Sequence, residues 1–303
     1  MSVLTAATSL EEEPVFFRAG EADLFGVVTA PLANPRGIAV VILSGGGTPL
    51  STNVNGLSVR LCRRVAGLGF HGFRFDYHGV GESSGEPDRF RLGTPFVRDL
   101  DGALACLESK GIDRFVLVGS CFGARTVLAV AASRGGVQGA ILIAPPVRDF
   151  EMGERTQTRM AAEVTLAGFV RRALRASTLR GLASVDRRRV YARLAREKAR
   201  RLTRPRLGGG SHGRYGVSRR FVEQLDALVD AGTPVVIVFG ERDDLLSDLE
   251  RGRSGPLGPT LERGGDRVKV VTLPGTVHGF RHLETQERVL DLVTDWVVRL
   301  PSS

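Results

Sequence analysis

Apolar residues along the chain gather into short unbroken runs, and between them the apolar positions fall at helical spacing. "GIAVVILSGGG", "GFRFDYHG", "RFVLVG", "GAILIAP", "TPVVIVFG" and "VKVVTLPG" are runs of strand length that end in glycine, proline or polar residues. Such runs suit strands buried on both faces. "VNGLSVRLCRRVAGLG" instead sets Leu57, Leu61, Val65 and Leu68 on one helical face, and "FVRDLDGALACLESKG" and "TQERVLDLVTDWVVRL" are amphipathic in the same way, the former stopped by Gly111. Two further short strands, Pro14 to Arg18 and Leu24 to Thr29, flank a glycine turn near the start and predict an antiparallel edge. The alternation predicts an α/β fold, a mostly parallel eight-stranded sheet covered by helices on both faces.

The alternation breaks once. Between "GAILIAP" and "TPVVIVFG" lie roughly 85 residues, far more than a strand–helix–strand crossover uses. Helical periodicity returns around Phe169, Ala173 and Leu174 and again around Val190, Leu194 and Leu202, before a glycine-rich break at Gly208 to Gly213. The expectation is a helical cap over residues 148–215, inserted into a core made of residues 1–147 and 216–303. Charge marks the same segment. Arg171 to Arg206 holds thirteen Arg and one Lys against Asp186 and Glu197, a local net of +12 in a chain of net +9, which leaves the remainder at −3. One basic element in a mildly acidic protein argues against a chain-wide nucleic-acid footprint, and the segment's aromatics, Phe169 and Tyr191, give little stacking support for RNA. Cys62, Cys106 and Cys121 are odd in number and widely spaced, with neither a metal-ligand nor a disulfide pattern. With no secretory leader in "MSVLTAATSLEEEP" and no apolar run near the ~20 residues of a membrane helix, a cytoplasmic protein without membrane span is expected.

The candidate chemistry begins where the run "FVLVG" passes into a helix through Gly119-Ser120-Cys121-Phe122-Gly123. A strand–turn–helix with small residues on both sides projects its middle residue from the apex, and that residue is Cys121 rather than Ser120. The dipole of the helix behind it favours a thiolate over a thiol of ordinary pKa ~8.5. Cys62 and Cys106, in helices beside apolar residues, are better described as structural. His278 lies in the loop after the last strand and is the candidate base. Asp243 or Asp244, after the strand before that, is the candidate acid, with Asp243 preferred because it stands three residues beyond the glycine that ends the run. Backbone donors for an oxyanion would come from Phe122 and from the glycines of Ser44-Gly45-Gly46-Gly47, with Gly46 chosen. That glycine run lacks the following Lys-Ser or Lys-Thr of a phosphate loop, so nucleotide binding is discounted.

These motifs resemble the α/β-hydrolase superfamily over roughly residues 14 to 300, including the loop "FRFDYHGVGESSG" after the fourth strand. The cysteine elbow is similar to that of dienelactone hydrolases. "FDYHGVGESSG", "VLVGSCFGA" and "FVRRALRASTLRGLA" together resemble Cys-elbow hydrolases associated with exosortase systems. The chain departs from the larger superfamily at Ser44, where His is common, and at Cys121. The resemblance implies the fold and a Cys121–His278–Asp243 triad acting on an activated carboxyl derivative, a thioester, ester or lactone, with no metal or organic cofactor. An acyltransferase, cyclase or eliminating enzyme on the same fold, and a non-catalytic binding protein, are the alternatives. Arg171, Arg172, Arg175 and Arg187 to Arg189 would suit an acidic carrier of the acyl group, an acyl carrier protein or a coenzyme A thioester.

Overall fold

Unbroken burial of Ile38–Leu43 and Val235–Gly240, with no exposed position in either run, shows why these residues are interior strands. The computed structural model describes residues 10–31, 33–46, 50–86, 88, 90–149 and 216–300. Its sheet has eight strands: β1 (Glu11–Ala19), β2 (Ala22–Ala30), β3 (Ile38–Leu43), β4 (His71–Phe75), β5 (Arg114–Ser120), β6 (Val137–Ile143), β7 (Val235–Gly240) and β8 (Val268–Leu273). Their order is β1-β2-β4-β3-β5-β6-β7-β8. β1 and β2 are antiparallel to each other, β2 is antiparallel to β4, and every other pair is parallel.

Seven α-helices accompany the sheet among the described residues: α1 (Leu57–Gly67), α2 (Val97–Glu108), α3 (Phe122–Ala131), α4 (Arg219–Asp230), α5 (Leu246–Arg253), α6 (Leu257–Gly264) and α7 (Leu283–Val298). α1 and α7 pack together and bury Leu57, Leu61, Val65, Val289, Leu290 and Val293 in one core with Val40, Ile42, Val116 and Val118 of the sheet. Outside that core, Arg60 and Arg64 reach across to Gln286, Glu287 and Asp291. α3 packs against both α2 and α4, and α4 also packs against α6.

Two details differ from the sequence reading. β1 and β2 run further than expected, because the acidic start of β1 is an edge whose charges find partners: Glu12 takes Arg63, and Glu13 takes Lys110. α4, α5 and α6 were not singled out by periodicity; α5 and α6 are short and rich in Gly, Arg and Glu. The chain separates into two units, Met1–Asp149 with His212–Ser303, and Phe150–Ser211. The predicted cap and its glycine break therefore lie outside the described residues, apart from Arg148 and Asp149. No described helix is long and apolar enough to cross a membrane.

Candidate active site

Parallel strands bring their C-terminal ends to one edge of the sheet, the usual ligand side of such folds. There β5 turns into α3. Cys121 occupies that turn at φ 49° and ψ −110°, a backbone conformation that L-residues avoid and that costs about 1–3 kcal/mol. Its amide donates to the Ile143 carbonyl of β6 at 2.9 Å, which fixes the turn to the neighbouring strand. A Cβ on Gly119 would collide with the Gly123 backbone, and one on Gly123 would stand 2.6 Å from the Ser44 carbonyl oxygen. Both glycines are thus required by close approach. Ser120 continues the face of β5 that carries Val116 and Val118. It lines a small apolar cavity with Leu57, Phe280 and Val289, while Cys121 holds the apex.

β7 ends at Gly240, and Asp243 folds back onto it. One carboxylate oxygen accepts the Gly240 amide at 2.7 Å; the other accepts the His278 amide at 2.9 Å. Asp243 is 4% exposed, and its neighbour Asp244 is an exposed residue. Asp243 thus accepts the backbone amide of His278. His278 itself is half-buried. The segment after it is held by Phe280, at φ 47°, whose carbonyl accepts from Gln286 of α7 at 2.6 Å.

Phe122 is the first residue of α3, and amides in a first helical turn have no acceptor within their own helix. Across from it the chain leaves β3 through Ser44. A Cβ on Gly45 would be 3.3 Å from the Cys121 Cβ, so this loop touches the elbow itself. Gly46, the donor chosen from sequence, lies beneath Phe90, whose ring a Cβ there would meet at 2.8 Å. Among the described residues, no group of three or more His, Cys, Asp or Glu is arranged to hold a metal ion.

With this geometry in view, sequence comparison decides the family. Residues 40–292 match the model of the alpha/beta hydrolase family. The chain belongs to that family. It is a hydrolase by that membership, and the β5–α3 turn, the loop after β3 and the turn after β7 all follow the C-terminal ends of parallel strands. None of the curated proteins matches it in sequence. Solved structures share its fold at low identity. A proline iminopeptidase from Mycobacterium smegmatis is similar at 19% identity and TM-score 0.55, covering 94% of this chain and 97% of its own. A Pyrococcus furiosus esterase is similar at 14% and 0.60, with 97% and 92% covered. A dienelactone hydrolase from Anabaena variabilis is similar at 14% and 0.57, with 96% and 98% covered.

The α/β-hydrolase edge also holds groups that sequence reasoning did not assign. Tyr77, Phe90, Phe96 and Phe122 form an aromatic cluster, with ring centroids 4.9 Å apart between Phe90 and Phe122 and 4.9 Å between Phe96 and Phe122. His78 stands beside it, its ring 4.4 Å from Phe96 and its Nδ1 2.8 Å from Asp99. Burial raises the Asp99 pKa above the usual carboxylate value, against hydrogen bonds from the His78 amide and ring that lower it. The only sequence signal for these contacts was the motif "FDYHGVG"; the partners Phe96 and Asp99 are some twenty residues away.

Proposed function

We propose that the protein is a cysteine hydrolase of activated carboxyl derivatives, thioesters, esters or lactones, with Cys121 as nucleophile, His278 as base and Asp243 as the carboxylate that orients it. The observation that carries the reading is the backbone of Cys121: a cysteine at φ 49° between two glycines with no room for a side chain. Strain of this kind persists where the surroundings enforce it, and it aims one side chain outward from the sheet edge. The buried Asp243 carboxylate on the His278 segment supports the other two roles.

His278 accepts the Cys121 proton, and the thiolate adds to the acyl carbon. The oxyanion forms against the Phe122 amide and an amide of the Ser44–Gly46 loop, Gly46 by the sequence assignment, each donor contributing about 3 kcal/mol in the transition state. Collapse expels the alcohol or thiol leaving group, which takes the proton from His278 and leaves an acyl-thioester on Cys121. Water, deprotonated by His278, attacks that thioester and releases the acid, returning the thiol. A thiolate is itself a good leaving group, so the first adduct goes forward only when the substrate's own leaving group departs readily. That selects thioesters and activated or strained esters over simple alkyl esters. The chemistry needs a reduced thiol, in keeping with a cytoplasmic setting, and none of the three cysteines is in a disulfide. The same preference fits an acidic carrier, an acyl carrier protein or coenzyme A, at the basic segment of the sequence.

The test is single-turnover reaction with an aryl ester and a short acyl thioester, read by mass spectrometry of the intact protein and of its peptides. The adduct should appear on the Cys121 peptide. Cys121→Ala should abolish turnover, with Ser120→Ala retaining most of it. An adduct on Ser120, or an active Cys121→Ala enzyme, would overturn the assignment.

A further inference from the structure

Tyr77 follows β4 by two residues and is 3% exposed, yet it carries a hydroxyl into the aromatic cluster. That hydroxyl donates to the Ser44 carbonyl at 3.0 Å. Ser44 is the first residue beyond β3, itself 3% exposed, and three glycines follow it in the sequence. A chain of consecutive glycines has more backbone freedom to lose than any other, so its amides do not hold a direction by themselves. Because the peptide is planar, the Ser44 carbonyl and the Gly45 amide share one plane and point to opposite sides of it. Fixing the carbonyl fixes the plane from which the rest of the loop departs.

Phe90 provides the second constraint. Its ring lies over Gly46, packs edge-on to Phe122 at 4.9 Å, and stands 6.0 Å from the Tyr77 ring. Phe122 supplies one oxyanion donor of the proposed reaction and the glycine loop supplies the other. One buried hydroxyl and one ring thus hold both donor segments in register with each other. We infer that Tyr77 is a positioning residue for the oxyanion loop, acting through its hydrogen bond to the Ser44 carbonyl, with Phe90 as the wall that loop rests on. Burial, chiefly, and the neighbouring Asp99 raise the Tyr77 pKa well above the ordinary phenol value, so the hydroxyl remains a donor throughout the neutral range.

This inference rests on the cysteine-hydrolase reading and adds a consequence of its own. Preorganised donors act where charge develops, so loosening the loop weakens transition-state binding and leaves substrate binding intact. The variant is Tyr77→Phe, which keeps the ring and removes the oxygen. On an aryl ester, kcat should fall about ten- to a hundredfold, less than the loss on deleting a donor outright, with KM within about twofold. An aldehyde analogue of the acyl group, which adds to a thiol to give an oxyanion or hemithioacetal hydroxyl at the same place, should bind weaker by a similar factor. The product acid should bind as before. Alkylation of Cys121 by iodoacetamide should keep its rate, because the thiol is untouched. A wild-type kcat in Tyr77→Phe, with Cys121→Ala dead, overturns the inference and leaves the hydrolase reading standing. Parallel loss of kcat, KM and melting temperature makes Tyr77 merely structural and also overturns it. Turnover by Cys121→Ala removes the reading and the inference together.

Discussion

His71 opens β4 opposite Ala39, half-buried, with its Nδ1 buried and without a hydrogen-bond partner. Burial penalises the charged imidazolium and lowers its pKa below the ordinary 6.5. The folded protein therefore binds fewer protons at His71 than the unfolded chain between the two pKa values. Stability falls as pH drops through the interval just below 6.5, and this contribution vanishes above it, where both states are neutral. His71→Gln cannot titrate, so its denaturant midpoint should decline less steeply from pH 7.5 to 5 than that of the wild type. Identical slopes would show that His71 is not a source of acid sensitivity. The same penalty acts on two of the cysteines. Burial pushes the Cys62 thiol up to about 12 and raises that of Cys106. The sequence already separated them from Cys121, because only Cys121 has glycines at the spacing an apex residue needs. Tyr77 was not legible in that way: its role depends on the Ser44 carbonyl, 33 residues away.

At the scale of elements, the runs buried on both faces were the clearest to read, since no polar residue interrupts β3 or β7. Obscured were elements whose polar residues are satisfied only by distant partners. Arg125 is an instance. It lies within α3, one turn after Cys121, in a stretch that reads as apolar helix, and it is 2% exposed. Its guanidinium donates to the Pro146 carbonyl at 3.1 Å, to Asp149 at 2.7 Å and to the Ser218 hydroxyl at 3.2 Å. It also sits over the Phe221 ring, 5.5 Å from its centroid. Ser218 both caps α4 and donates to Asp149 at 2.7 Å. One arginine on the elbow helix thereby joins the chain leaving β6 to the start of α4. Arg125→Met strands Asp149, and the expected loss is about 3 kcal/mol, at the low end for breaking a buried pair because Asp149 is a third exposed and can rehydrate. Adding Asp149→Asn should recover part of that loss. Denaturant titration of the two single variants and the double variant measures the coupling. A loss below about 0.5 kcal/mol in Arg125→Met, the level of an ordinary surface substitution, would show that the cluster contributes nothing to stability.

The whole molecule combines a strained cysteine edge with an uneven charge. Within the core many charges are already paired across elements, as in Arg60 with Glu287, Arg134 with Asp101 and Glu108, and Arg263 with Asp226. The excess lies in Arg171 to Arg206, at net +12. A solvated amphipathic face accounts for such a run without any partner. The proposed thiol nucleophile favours a second account, because the acyl donors it would handle best are thioesters, and biological thioesters travel on acidic carriers. Attraction of that kind acts on the association rate and is screened over ~8 Å at physiological ionic strength. The specificity constant for an acyl group on an acyl carrier protein should therefore fall steeply between low and physiological salt, while that for a small neutral aryl ester changes little. Changing Arg187, Arg188 and Arg189 together to Ala should reduce the carrier's specificity constant about tenfold at low salt and flatten its salt dependence, since electrostatic steering changes association rates by about 10–1000-fold. The neutral ester should be unaffected by the triple substitution, because it carries no charge for the arginines to attract. Equal salt responses for the two substrates would assign the arginines to solvation alone.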